Sequence, residues 1–295
     1  MSAPAAQRRW VSVPPQDGRR FVVTGANSGI GFAAAQILVS RGAHVILAVR
    51  SPERGAAAAE TIRSRGWRGR VDVRRLDVSS LGSVREFADG TDGIDVLVNN
   101  AGVMGLPYET SHDGHELHLA TNHLGHFELT RLLEGRLADR VVTISSLSHR
   151  GGELDLDDLH WERRGYHAYR AYAASKLANL LFTLEHQRRL TATGSTLRSL
   201  AAHPGYASTG IQSGTGNPWF NTLGDLGNAL VGMPAWQGAL PTVYAATMDL
   251  PGNSYVGPGG FRELFGWPVL VGRSAEASDP DLAARLWRRS EELVG

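Results

Sequence analysis

The sequence predicts a single α/β domain, a doubly wound parallel sheet of about seven strands with helices on both faces, and three observations predict it. Short β-branched runs alternate with segments of helical spacing about six times along the chain. Several of these runs are apolar at successive positions, which suits strands covered on both sides rather than strands with one wet face. A chain of 295 residues that is 42% hydrophobic also carries enough apolar surface for one large core.

The elements follow in order. "FVVTG" from residue 21 is the first strand, and "GIGFAAAQILVSRG" from 29 has the spacing of a helix packed on it. "HVILAVR" from 44 is the second strand, and "RGAAAAE" from 54 is a short alanine-rich helix former. "RVDVRRLDV" from 70 is the third strand, "SLGSVREFADG" a helix, and "IDVLVNN" from 94 the fourth strand. "RVVTISS" from 140 and "LRSLAAHPG" from 197 flank the long helical segment "YAASKLANLLFTLEHQRRL". After Pro204 the alternation gives way to Gly, Pro, Asn and Trp, in a stretch too irregular for core and suited to a binding loop. The expected organisation is an N-terminal extension over 1–17 and one domain over 18–295, with 206–236 as a substrate lid and 237–295 completing the fold. Trp219, Phe220, Leu223, Leu226, Met233 and Trp236 would line an apolar pocket under that lid, or pack a small helix pair.

Composition removes several classes of function. A formal net charge of +1 without runs of like charge leaves no electrostatic footprint for nucleic acid or an anionic membrane. No segment offers the roughly 20 apolar residues of a membrane span, and the first residues lack a signal-peptide core, so the expectation is a soluble, cytoplasmic protein. With no cysteine, the chemistry must use oxygen, nitrogen or a cofactor.

Gly25, Gly29 and Gly31 fall between the first strand and the first helix. Glycines there let the backbone turn sharply and approach a pyrophosphate, held at the positive end of the helix in the Rossmann-type manner. The 18–295 domain is thus expected to bind a dinucleotide. At the end of the second strand, where a carboxylate would grip the ribose of NAD, stand Val49 and Arg50. A guanidinium suits the extra 2′-phosphate, so NADP(H) is expected over NAD(H), against the alternative of a merely solvated arginine.

Lys176 is the only lysine of the chain, and Tyr172 precedes it by four positions, on the same helix face. An ammonium there, with a positively charged nicotinamide, is expected to favour the phenolate of Tyr172. It could also donate to ribose hydroxyls as a compact point charge, which a guanidinium fork does less well.

Together, "TGANSGIG" from 24, "NNAG" from 99, "TNHLGHF" from 121, "ISS" from 144, "YAASK" from 172 and "HPG" from 203 resemble the short-chain dehydrogenase/reductase family, and its retinol-dehydrogenase-like and WW-domain-oxidoreductase-like branch. The wide gap between Ser146 and Tyr172 resembles that branch too. The resemblance implies an oxidoreductase that interconverts a carbonyl and an alcohol on a small to medium apolar substrate. It makes Tyr172 the proton donor, Lys176 its partner, Ser146 the group that binds the substrate oxygen, and Asn122 the holder of a water that links Lys176 to solvent. It implies that Gly25, Asn27, Ser28, Gly29, Ile30 and Gly31 line the cofactor, that Asp77 and Val78 contact adenine, that Asn99, Ala101 and Gly102 line the adenosine side, and that Pro204, Gly205 and Thr209 hold the nicotinamide carboxamide. Ser146 as a strand-end cap, Asn122 as an exposed helix residue and Asp77 as the cap of the next helix are the bland alternatives.

Five histidines lie between 112 and 126, and His115 and His118 would share a helix face. A zinc site is disfavoured there, because the tyrosine–lysine chemistry needs no metal. Glu128 interrupts the apolar face of a helix that commonly forms the subunit interface in this family, which leaves a homodimer open and weakens the expectation of a tetramer. The rival functions are an NADPH-sensing regulatory protein without turnover, a sugar-nucleotide epimerase or dehydratase, and a protochlorophyllide reductase, the last disfavoured by the missing cysteine.

Overall fold

The computed structural model describes residues 13–206 and 233–295. Thr209, Trp219, Phe220, Leu223 and Leu226, and most of the expected lid, therefore lie outside the described residues. Of the lid's remaining apolar candidates, Met233 is buried and Trp236 is exposed.

The strands are β1 (Arg20–Thr24), β2 (His44–Val49), β3 (Arg70–Arg75), β4 (Ile94–Asn99), β5 (Leu137–Ile144), β6 (Arg198–Ala202), β7 (Tyr255–Pro258) and β8 (Pro268–Leu270). They form one sheet in the order β3-β2-β1-β4-β5-β6-β7-β8. All neighbours pair in parallel except β7 with β8. The sheet has eight strands instead of about seven. The last two lie in the Gly- and Pro-rich tail, where Gly257 and Pro258 hide the strand pattern that period-2 reading needs.

The helices are α1 (Gly29–Ser40), α2 (Pro52–Arg63), α3 (Leu81–Asp89), a short turn α4 (Leu117–Leu119), α5 (Gly125–Leu133), α6 (Ala168–Ala192), α7 (Ala235–Gly238), α8 (Leu240–Thr247) and α9 (Pro280–Val294). Their ends are chemically marked. Ser51 caps α2 by accepting from the amide of Arg54 (3.2 Å), with Pro52 in the first turn, and Asp279 caps α9 through the amides of Asp281 (2.8 Å) and Leu282 (3.0 Å).

Successive strand residues point to opposite faces, and both faces are apolar. Phe21, Val23, Val45, Leu47, Val96 and Val98 pack with α1, α2 and α8, while Val22, Ile46, Leu97 and Val141 pack with α3 and α5. Further along that second face, Ala201 and Tyr255 pack with Leu177, Leu180 and Leu181 of α6 and Leu286 of α9. The strand order reverses between β1 and β4, so the crevice beyond their carboxyl ends is where an open α/β sheet binds ligands.

Glu128 lies in the first turn of α5. It is buried and accepts from Arg85 (3.3 Å) and Arg131 (2.9 Å) of the same chain. Among the described residues, no helix is long and apolar enough to cross a membrane.

Candidate active site

The phenol, the ammonium and the serine predicted from sequence meet at the carboxyl end of β5. Tyr172 and Lys176 lie on the buried face of α6, with Nζ of Lys176 5.7 Å from the Tyr172 ring centroid. Lys176 Nζ and Asn179 Nδ2 both donate to the carbonyl of Ile144, at 3.1 and 3.0 Å, and Ser145 Oγ donates to the carbonyl of Lys176 at 2.8 Å. These bonds pin the end of β5 onto α6 and bring the Ser146 hydroxyl into hydrogen-bond contact with Tyr172. Ser146 also caps the short 3-10 turn Leu147–Gly151, accepting from the amide of Ser148 (3.2 Å). The capping role and the contact with Tyr172 therefore coexist.

Asn122 is fully buried, which removes its reading as an exposed helix residue. It sits in a π-helical turn (Ala120–Leu124), a local widening that often marks functional sites. Its Oδ1 accepts from the amide of Val103 (2.8 Å), and its Nδ2 donates to the carbonyl of Val103 (3.0 Å) and to Ser175 Oγ (2.8 Å). Ser175 Oγ in turn donates to the carbonyl of Tyr172 (2.7 Å). Asn122 thus joins the loop after β4 to the helix that carries the phenol.

Burial dominates the electrostatics of the chain's own groups at the pair. Burial raises the Tyr172 phenol above its ordinary value, a push only opposed by the Ser146 hydrogen bond, and burial lowers the Lys176 ammonium to about 8. The chain alone therefore keeps Tyr172 protonated at neutral pH. The sequence shows the neighbouring cation but not the desolvation that opposes it.

The glycine loop forms a narrow cradle. Gly25 turns with φ of +65°, and a Cβ there would press on Ala101 at 3.0 Å. A Cβ on Gly31 would come within 2.4 Å of Asn100 Nδ2 and 2.9 Å of the Gly25 carbonyl. Ser28, the exposed residue before α1, makes no side-chain cap, so the first amides of that helix face the crevice. Asn27 is half-buried and Ile30 packs inside.

Arg50 is exposed at the end of β2 and has no hydrogen-bond or ion-pair partner among the described residues. Asp77 does not cap α3, since that position belongs to Ser80; its carboxylate accepts from the amide (3.0 Å) and hydroxyl (2.6 Å) of Ser79. Val78 is buried against α5. The side chain of Asn99 turns inward to Thr130 (2.9 Å), away from the crevice. Ala101, Gly102, Pro204 and Gly205 are partly exposed at the ends of β4 and β6.

Sequence reading missed two supporting networks. Thr24 Oγ1, at the end of β1, accepts the amides of Asn100 (2.8 Å) and Ala101 (2.9 Å) and bonds to His126 Nε2 (2.9 Å). His126 Nδ1 bonds to the carbonyl of Asn122 (3.3 Å). The spacing of four from Asn122 was a legible signal for this link. In the second network, Glu116 Oε1 accepts from His118 Nδ1 (2.8 Å) and the Tyr166 hydroxyl (3.0 Å), and His118 Nε2 accepts from the amide of Leu106 (3.4 Å). Burial alone would raise the Glu116 carboxyl, but the His118 ring and the backbone amides of Leu119 and His118 hold it below its usual range. The His118 ring meets the Tyr172 ring edge-on at 6.5 Å. His115, expected on the same face as His118, instead contacts His160 (3.1 Å) and the Leu293 carbonyl (3.1 Å). Tyr166 comes from an irregular segment with no periodicity, so no sequence signal pointed to it.

Comparison with known proteins agrees with this geometry. The family model for short chain dehydrogenase matches residues 19–217. The chain is 41% identical to human retinol dehydrogenase 13 over 94% of its length and 85% of that protein. A crystal structure of an uncharacterized protein from Mycobacterium paratuberculosis superposes with a TM-score of 0.81 at 49% identity, covering 96% of both chains. An NAD(P)-dependent gluconate 5-dehydrogenase structure from Beutenbergia cavernae, with bound NADP, superposes with a TM-score of 0.61 at 25% identity, over 80% of this chain and 92% of that one.

Proposed function

The chain belongs to the short-chain dehydrogenase family and is an oxidoreductase of that family, and from that premise we propose that it reduces a carbonyl on a small to medium apolar substrate with NADPH. The observation that carries the reading is the buried Tyr172–Lys176 pair with Ser146 at its hydroxyl, at the mouth of a glycine cradle.

The residues present fit a dinucleotide. The backbone approaches that a Cβ on Gly25 or Gly31 would block, and the uncapped first turn of α1, suit a pyrophosphate. Gly25, Asn27, Ser28, Gly29, Ile30 and Gly31 would hold it, with Asp77, Val78, Ala101, Gly102 and the main chain of Asn99 around the adenosine. Pro204, Gly205 and Thr209 would meet the carboxamide. When bound, the reduced nicotinamide supplies hydride to the carbonyl carbon. Tyr172 donates its phenolic proton to the carbonyl oxygen, and its raised pKa keeps that proton available at neutral pH. The Ser146 hydroxyl stabilises the charge developing on the same oxygen. Lys176 holds the ribose and, through a water carried at Asn122, renews the proton. The similarity to a retinol dehydrogenase supports an apolar substrate.

The test is NADPH oxidation by the purified protein across apolar aldehydes and ketones, including retinal. Saturable NADPH binding with no oxidation of any of them would count against a reductase and for a sensor. Arg50→Ala is expected to weaken NADPH binding about tenfold to a hundredfold while leaving NADH unchanged, since it removes one charge-assisted contact to the 2′-phosphate. Equal effects on both cofactors would remove Arg50 from that role.

A further inference from the structure

Arg262 and Glu263, in the turn between β7 and β8, are consecutive non-glycine residues with φ of 49° and 60°. Left-handed backbone at such residues persists where surrounding contacts over-determine it, and it concentrates at functional sites. Here the contacts come from the Glu263 side chain. One carboxylate oxygen accepts from Arg150 Nη2 at 2.7 Å, and the other bonds to His203 Nε2 at 3.1 Å. His203 is fully buried, and its Nδ1 accepts from the amide of Gly205 at 3.2 Å. That bond leaves the ring proton on Nε2, pointing at Glu263.

The turn also reaches the same segment through its backbone. The amide of Tyr206 donates to the Leu264 carbonyl at 2.8 Å. Gly205, at φ of +71°, brings the chain so close that a Cβ would lie 2.5 Å from that carbonyl. On the other side, Arg150 lies within the 3-10 turn that Ser146 caps. His149 of that turn bonds to the Ser146 carbonyl at 2.6 Å. One carboxylate therefore ties the turn after β5 to the segment after β6, beyond the last ladder bond of the two strands, from the Ser145 amide to the Ala202 carbonyl (2.8 Å).

We propose that Glu263 is a positioning residue that clamps the Ser146 turn to Pro204–Gly205 and so sets the nicotinamide end of the cofactor cradle. The inference rests on the functional reading above, which gives that segment to the nicotinamide. A purely structural pin would affect the whole fold, whereas the clamp acts on one end of the dinucleotide.

The experiment compares NADPH with 2′,5′-ADP, which carries the adenosine and 2′-phosphate but no nicotinamide, on the full chain. Glu263→Gln, Arg150→Met and the double variant are titrated beside the unmodified protein. Each single change is expected to raise the NADPH Kd about tenfold and to leave the 2′,5′-ADP Kd within about twofold, with the double no worse than the singles because they break one link. Unchanged NADPH affinity, or an equal loss for both ligands, would overturn the clamp. Should Glu263→Gln fail to fold, Arg150→Met decides alone, because it removes a half-exposed guanidinium while Glu263 keeps its bond to His203. Failure of the unmodified chain to bind NADPH would overturn the functional reading itself, and this inference with it.

Discussion

Tyr172→Phe is expected to lower carbonyl turnover by about a thousandfold while NADPH binding stays within about twofold, because the change removes one proton donor and little else. The phenyl ring still fills the same buried volume beside His118 and Lys176. No polar group is stranded, since Ser146 keeps Ser148 as a partner through its Oγ (3.3 Å). The expected stability change is therefore no more than about 1 kcal/mol, the net worth of one hydrogen bond. Stopped-flow reduction separates the proton step from cofactor binding. A variant that turns over within about tenfold of the parent would assign the proton to another group. Conversely, loss of NADPH binding would make Tyr172 a cofactor ligand first.

Much of this site was legible because its residues obey local rules. The glycine loop shows a backbone requirement, and Tyr172 and Lys176 show a helical spacing that survives in α6. The six strands read from β-branched runs all formed, with ends within a few residues of the expected ones. The two missed strands, β7 and β8, pair late in the chain, and proline and glycine disguise them. Contacts that depend on packing were equally hidden. Nothing local in "HDGHELHLA" tells that Glu116 accepts from Tyr166, fifty residues on, or that Asn99 points inward. The desolvation of Tyr172 was hidden for the same reason: a neighbouring charge is visible in sequence, but burial is a property of the assembled fold.

Acid is expected to destabilise the protein steeply between pH 6.5 and 5, and the cause is two buried histidines just after Asn122. Burial lowers His126 to about 3 and His123 to about 4, against about 6.5 in an unfolded chain. Below pH 6.5 the unfolded state takes up protons that the folded state refuses, so stability falls with pH and goes on falling to the folded-state values. At pH 5 each histidine costs about 2 kcal/mol, about 4 together, a large share of a typical 5–15 kcal/mol. His115, His149 and His203 are shifted in the same direction, again through burial. Urea unfolding at pH 7.5 and 5.0 measures the effect, and an unchanged midpoint would contradict it. Site geometry in the folded state follows a different curve, because His126 stays neutral there down to about pH 3. Thr24 Oγ1 accepts two amides, and its hydroxyl reaches both the Val98 carbonyl (3.4 Å) and His126 Nε2 (2.9 Å), so a protonated imidazole would present a third donor to it. That link, which holds Asn100 and Ala101 at the cradle, gives way only near pH 3, so the NADPH affinity of the folded protein is expected to hold between pH 7.5 and 5 while stability falls.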